Sequence, residues 1–355
     1  MCSMSLQSTA IGAYPKPDYV TIPDWFKDPE GPDSADPTKT WAEAVAALGD
    51  DAEAIFARGT RDAVTDQVEA GIDIPTDGEI RRENYIHYHC RHLNGIDFKR
   101  LTATELRGGA YRANLPTITE PISAREHFLP HDWQVAQSFT GRPVKITLPG
   151  PMTVSDSVAD DYYGDPWRLG ADIAAALNSE VLALAAAGCR HIQIDEPLFA
   201  RRPQDALDYG IDNLERAFHG CPQGVVRTMH MCCGYPDKLD NPDYPKAPPQ
   251  SYFELADTVE QSSIMAVSLE DAHRHNDLSL LEHFKTTTVI LGVVAIAKSH
   301  IEPVDEIRAR LHEALDHIDP DRLVAAPDCG LGLLGRERAL AKLRNLASAT
   351  HALRT

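Results

Sequence analysis

The sequence predicts an α/β protein of the (β/α)8 TIM barrel type, with an insertion after strand 2, on three observations. Eight short β-branched or apolar runs recur along the chain, and amphipathic helical stretches separate most of them. Several of these runs end in acids, histidines or cysteines, residue types that gather where the carboxyl ends of barrel strands converge. A length of 355 residues suits one barrel, and no internal repeat or low-complexity tract divides it. The expected organisation is a single barrel over 1–355.

Ala10-Ile11-Gly12-Ala13-Tyr14 reads as the first strand, before a Pro-rich loop from Pro15 to Pro37. Helical periodicity runs from Thr40 to about Val68, with Gly49 marking a break and Gly71 a stop. Ile72 to Thr76 is the second strand and delivers Asp77-Gly78-Glu79. Residues 80–143 fit no strand–helix rhythm and read as an insertion over the barrel mouth. Val144 to Leu148 is the third strand, and Pro166 to Ala187 the clearest helix, opened by Asp165-Pro166 and closed by Gly188. His191 to Ile194 delivers Asp195-Glu196-Pro197. A helix near Gln204 to Phe218 leads to Val225-Val226-Arg227-Thr228, the strand that carries His230 and Cys232. Residues 234–251 are rich in Pro and Asp and form a candidate lid loop. Strand six runs from Ile264 to Leu269 and ends at Glu270; strand seven is Thr288 to Val294, followed by a helix from Val304 to Ile318. Strand eight, Leu323 to Ala326, ends at Pro327-Asp328-Cys329-Gly330, and a last helix spans Arg336 to Ser348.

The net charge of −19 argues against nucleic acid or an anionic membrane as partner. Seven scattered cysteines read as reduced thiols, the first residues lack a signal-peptide pattern, and no apolar run approaches the ~20 residues of a membrane helix. A cytoplasmic location is the expectation.

Alternation along a strand points His230 and Cys232 to one side, and both suit a borderline-soft metal such as zinc. Glu270 and Cys329 end later strands and complete a four-ligand set. Two thiolates already offset the charge of zinc, and Glu270 makes the set anionic. Such a site is poor at making hydroxide but suits holding a substrate thiol as thiolate, below its usual pKa of ~8.5. Glu270, as a carboxylate, is the ligand an incoming sulfur displaces most easily. A structural zinc protein without catalysis is a weaker reading, because structural sites use tighter local spacing.

Ala10-Ile11-Gly12-Ala13-Tyr14-Pro15, Asp77-Gly78-Glu79, Gly150-Pro151-Met152-Thr153, Ile194-Asp195-Glu196-Pro197, His230-Met231-Cys232, Ser268-Leu269-Glu270 and Pro327-Asp328-Cys329-Gly330-Leu331 resemble, in order, the catalytic barrel of cobalamin-independent methionine synthase. The resemblance runs from about residue 8 to the end and implies a short, core-type member, without room for the second, amino-terminal barrel of full-length relatives. It implies Zn2+ on His230, Cys232, Glu270 and Cys329, and a homocysteine amino group held by Glu79 and Asp195. Glu270, Asp195 and Glu79 are then the catalytic candidates. Ile11, Ala13, Glu79, Asp195, Arg112 and Arg201 are the substrate-binding candidates.

Departures shape the reading. Ala13 stands for a substrate-binding Ser, Ser157 for a folate-stacking Trp, Arg201 for a folate-contacting Glu, and Ala297 for a catalytic His, with His300 the nearest substitute. The resemblance therefore implies methyl or alkyl transfer to a small thiol from a donor other than methyl-folate, such as a corrinoid or a small methyl compound. The sequence is also similar to the epoxyalkane:coenzyme M transferases, in which case Arg201, Arg82 or Arg112 would serve an anionic thiol. Among the remaining residues, Cys233 is expected to pack, and His87, His89 and His92 to lie at the surface. Asp156, Asp160 and Asp161 are expected in a solvated loop, and Asp328 is expected to brace the Cys329 turn.

Overall fold

The computed structural model describes residues 6–27, 36–106, 111–236, 238–241 and 244–354; at 36–39, 106, 111 and 112 it describes the backbone alone. The first strand, β1 (Gln7–Ser8), lies before the expected Ala10–Tyr14. Residues 10–14 instead run along the site, where the Tyr14 amide donates to the Gly78 carbonyl at 2.9 Å. Helices α1 (Asp36–Leu48) and α2 (Ala52–Glu69) are separated at Gly49, whose φ of 58° suits a residue without Cβ. Helix α3 (Tyr85–Cys90) starts on Asn84, whose side chain accepts from the amides of Ile86 and His87.

Next come two 14-residue strands, β2 (Leu93–Leu106) and β3 (Tyr111–Ala124), paired antiparallel. Helix α4 (Leu129–Gln137), strand β4 (Lys145–Pro149) and helix α5 (Pro151–Asp156) follow, and β5 (Ala159–Asp160) joins the hairpin as a third strand. The hairpin packs along α6 (Pro166–Ala187), so among the elements of 80–143 it is α3 whose side chains reach the large cavity described below. Contrary to expectation, α6 is long and apolar enough to cross a membrane by length and composition. Just over half of its apolar window is, however, buried within this protein.

Strand β6 (His191–Asp195) is followed by the short helices α7 (Pro197–Arg201) and α8 (Pro203–Asp205), a π-helical turn at Ala206–Gly210, and α9 (Ile211–Ala217). Strand β7 (Val226–Met231) extends past the expected Thr228 and so includes His230. The remaining elements are α10 (Gln250–Gln261), β8 (Ala266–Glu270), β9 (Thr288–Val294), α11 (Val304–Leu315), β10 (Leu323–Pro327) and α12 (Arg336–His351).

Seven strands form a curled parallel sheet in the order β1-β10-β9-β8-β7-β6-β4. The expected second strand, 72–76, touches both of its edges by single bridges, Thr9 to Ile74 and Thr76 to Lys145. Pro75 explains why no longer ladder forms there: it has no amide to donate, although its carbonyl accepts from Lys145 N at 2.8 Å. Strands β4 and β8 are buried at every residue, as a parallel sheet covered on both faces requires. One face packs the main apolar core. On the other, Ile11, Ala266, Ile290 and Ala326 form a separate cluster that continues into polar Thr147, Gln193 and Ser268.

Candidate metal centre and binding cavity

Register places the first ligand candidate. His230 pairs with Asp195 of β6 on one side and Ser268 of β8 on the other. The Ser268 hydroxyl lies 2.9 Å from His230 Nδ1, which turns Nε2 toward Cys329 Sγ at 3.4 Å. His230 Nε2 and the sulfurs of Cys232 and Cys329 lie within 4.8 Å of one another. Glu270 falls outside this tight group but hydrogen-bonds the Cys232 thiol with its carboxyl. All four residues expected from the sequence thus converge on one spot, three closely and Glu270 at its edge.

The electrostatics of this spot call for a cation. The hydrogen bond to Cys329 and burial hold the Cys232 thiol well above its ordinary pKa. Burial and the neighbouring Cys232 do the same to Glu270. At Cys329 the hydrogen bond from Cys232 pulls the pKa down, while burial and the charges of Glu270 and Asp195 carry it above the usual value. Burial pushes His230 down to about 3, so its imidazole is neutral and its Nε2 lone pair is available. Three acids crowded in low dielectric lose protons together only when positive charge arrives.

A second group, Glu270, His273 and Asp328, is a bracket for the first. Asp328 Oδ1 accepts from the amides of Asp271 (3.0 Å) and Ala272 (2.9 Å), and Oδ2 from the His273 amide (2.7 Å), with His273 Nδ1 at 2.6 Å. His273 Nε2 accepts from the Ala297 amide at 3.0 Å, so both ring nitrogens are engaged and neither is free to ligate. Asp328 therefore braces the turn after β8 that follows Glu270, in place of the expected Cys329 turn. Tyr252 OH adds a crosspiece, donating to Met231 O at 2.7 Å and accepting from Glu270 N at 3.2 Å. The Cys233 thiol donates to the same hydroxyl at 3.0 Å, in keeping with its expected packing role.

A cavity of about 970 Å³ of empty space, partly open to solvent, adjoins these ligands. Ile11, Ala13, Glu79, Asp195 and Arg201 all line it. The Ile11 carbonyl accepts from Gln193 Nε2 at 2.9 Å, and its side chain packs with Ala266, Ile290 and Ala326. Glu79 sits at φ 55°, an uncommon conformation for a residue with a Cβ, and Gly12 makes room for it: a Cβ there would lie 2.6 Å from Glu79 Oε1. Thr147 Oγ1 (2.6 Å) and Arg82 (3.3 Å) both bond Oε1. Burial raises the Glu79 pKa against the pull of Arg82. Burial and Glu79 raise Asp195, while Gln193 Nε2, at 2.7 Å from Asp195 Oδ1, works the other way.

Several expectations need correction. Arg82 is buried and committed to Asp77, Glu79 and Thr147, so it is unavailable to an anionic thiol. The Arg112 side chain lies outside the described residues. His300 is exposed beside Glu306 and lines no part of the cavity. His87 and His89 are buried instead of lying at the surface, and Asp156 reaches the cavity wall. Of the 234–251 loop, Gly234 and Tyr235 line the cavity, and Tyr235 OH donates to Gly330 O at 3.0 Å. Sequence reasoning missed Trp25 and Phe26, half-buried in the Pro-rich loop, which meet Tyr235 at ring distances of 6.4 and 5.4 Å. It also missed Gln193, which strand alternation would have found two residues before Asp195.

The chain matches the family model for the catalytic domain of cobalamin-independent synthases over residues 29–216 and 249–352. The gap carries His230 and Cys232, which therefore rest on geometry and motif. Among curated relatives, a methionine synthase of Saccharolobus solfataricus is 28% identical, with 98% of this chain and 95% of that protein covered. One from Thermococcus kodakarensis is 27% identical, with 98% and 94% covered. A solved B12-independent methionine synthase from Shewanella sp. W3-18-1, in complex with selenomethionine, superposes with a TM-score of 0.85 at 29% identity, covering 98% of this chain and 97% of that one. The chain belongs to the family of cobalamin-independent synthase catalytic domains.

Proposed function

We propose that this protein is a zinc-dependent thiol methyltransferase of the methionine-synthase kind, acting on homocysteine or a similar small thiol. The whole chain would form one closed (β/α)8 barrel, with 72–76 as its eighth stave, 80–143 as an insertion and 234–251 as a lid, in the cytoplasm. The observation that carries the reading is the convergence of two sulfurs, one imidazole nitrogen and one carboxylate beside a cavity with an acidic wall.

The donors fit zinc. Bonds of about 2.3 Å to sulfur and about 2.0 Å to nitrogen at a tetrahedral angle separate the two atoms by about 3.5 Å. His230 Nε2 and Cys329 Sγ lie at 3.4 Å. Bound there, zinc would hold a guest sulfur as a thiolate. The chain's own residues do the rest: Ser268 orients the imidazole, the Asp328 bracket positions Glu270, and Glu79 with Asp195 takes the amino group of the guest. The methyl donor would share the cavity that Trp25, Tyr85 and Arg201 line. It is not methyl-folate in this reading, because Ser157 and Arg201 replace the residues that would hold it.

A second reading rests on Arg201. Arg201 lines the cavity, and its buried Nε has no partner among the described residues. A sulfonate thiol such as coenzyme M would match it, with addition of the thiolate to an epoxide. Titrating homocysteine, coenzyme M, cysteine and glutathione into the cobalt-substituted protein separates the two. Homocysteine is expected to change the thiolate charge-transfer band at the lowest concentration; a response to coenzyme M alone would select the second reading, and no response to any thiol would end both. Asp195→Asn and Glu79→Gln should each weaken homocysteine binding about tenfold or more, as loss of a charge-assisted hydrogen bond does. Glu270→Gln should keep part of the metal and alter the rate of thiol exchange, followed in the same band.

A further inference from the structure

Beneath the acidic wall lies a lysine that the proposed chemistry does not use. Lys145 is 1% exposed, and its Nζ is fully enclosed without a hydrogen-bond partner among the described residues. It opens β4, two residues before Thr147, and alternation puts both on the inner face. Register sets Lys145 opposite His191 and Thr147 opposite Gln193, so Gln193 stands one inward position above the lysine on the adjoining strand. Gln193 has the complementary defect: its Nε2 holds Asp195 and Ile11, while its buried Oε1 lacks a partner. An enclosed ammonium and an enclosed amide oxygen on neighbouring strands, each missing what the other offers, are costly separately.

Charge gives the pair a use. The cavity end holds Glu79, Asp195, Cys232 and Cys329, with Glu270 beside Cys232, and Lys145 and Arg82 are cations that oppose the burial of Asp195. Arg82 is bonded to Asp77, Glu79 and Thr147. Lys145 has no carboxylate bonded to it among the described residues. We propose that Lys145 is the internal counter-ion of Asp195, acting through Gln193 to hold that carboxylate oriented for the amino group of the thiol substrate. Lys145 is thus a positioning residue that selects amino-bearing thiols; it does not touch the substrate. The inference rests on the amino-group role assigned to Asp195 above. The field of Asp195 also raises the lysine's affinity for its proton, against burial that pushes it down to about 7.

The test compares homocysteine with its des-amino analogue, 4-mercaptobutanoate, by isothermal titration into zinc-loaded protein. Lys145→Met, which replaces an unpaired buried charge with an apolar chain of similar length, is expected to fold and to keep its zinc. It should weaken homocysteine about tenfold and leave the des-amino thiol unchanged, which erases the preference. Gln193→Met should move the same preference in the same direction, and it serves if Lys145→Met does not fold. Equal weakening of both thiols, or no change in either, would overturn the proposal. Asp195→Asn separates the two levels of the argument: should it leave homocysteine binding intact, the amino-group role itself is lost, whereas a sensitive Asp195→Asn beside an insensitive Lys145→Met removes the counter-ion alone.

Discussion

Cys329→Ser is expected to strip the protein of zinc and abolish turnover, and His230→Ala to do the same. Each change removes a donor from a group whose atoms already lie within 4.8 Å of one another. Disturbing an outer partner of a metal ligand typically costs 10–100-fold in affinity, roughly, and losing a ligand outright costs more. Serine keeps the size of cysteine but does not ionise near neutral pH, so the crowded acids would face zinc with one negative charge fewer. Cys233→Ser is the internal control. That thiol points to Tyr252 OH, away from the group, and its loss should leave zinc content unchanged. Metal analysis after dialysis against a competing chelator, with methylation assayed in parallel, reads both results. Normal zinc and activity in Cys329→Ser and His230→Ala would remove the metal centre from the proposal.

The sequence carried the metal centre further than it carried the fold around it. His230, Cys232, Glu270 and Cys329 each end a strand or follow one, and alternation with strand-end position suffices to bring such residues together. The β2–β3 hairpin was not legible in the same way. Its partly exposed strands alternate weakly, and its bulges, between Asn94 and Ile96 and between Asp97 and Leu101, break the period of two. The first strand was misplaced because Ala10 to Tyr14 is apolar for a different reason: it lines the cavity and packs beneath it, while pairing falls to Gln7 and Ser8. The bracket around Asp328 depends on backbone amides from residues 271–273, which are 55–57 positions away and carry no side-chain signature. Lys145 and Gln193 look like ordinary surface residues in a short strand; only enclosure on both faces of the sheet makes them conspicuous.

Gly292→Ala should be a severely damaging conservative change outside the ligands. Gly292 pairs with Glu270 across the β8–β9 ladder and with Ala326 across β9–β10, next to the point where that ladder shifts register. A Cβ at this position would lie 2.3 Å from Asp328 Oδ1, 2.7 Å from Asp328 Cα and 3.1 Å from Leu269 O. The carboxylate cannot swing aside cheaply, because three amides and the His273 ring bond it. Each buried donor left unpaired costs about 1–3 kcal/mol, and overpacking adds about 1–3 kcal/mol. Nor can the backbone retreat without consequence, since the residue after Asp328 is Cys329. The expected result is a loss of roughly 3 kcal/mol or more in the unfolding free energy of the zinc-free protein, together with weaker zinc binding. Gly335→Ala, where a Cβ would meet nothing within 4 Å and φ is −71°, should change neither. Urea unfolding and zinc competition measure the two quantities on the same samples. If Gly292→Ala matched Gly335→Ala in both, the Asp328 bracket would be too soft to fix the geometry of Glu270, and the positioning assigned to it would have to come from the metal itself.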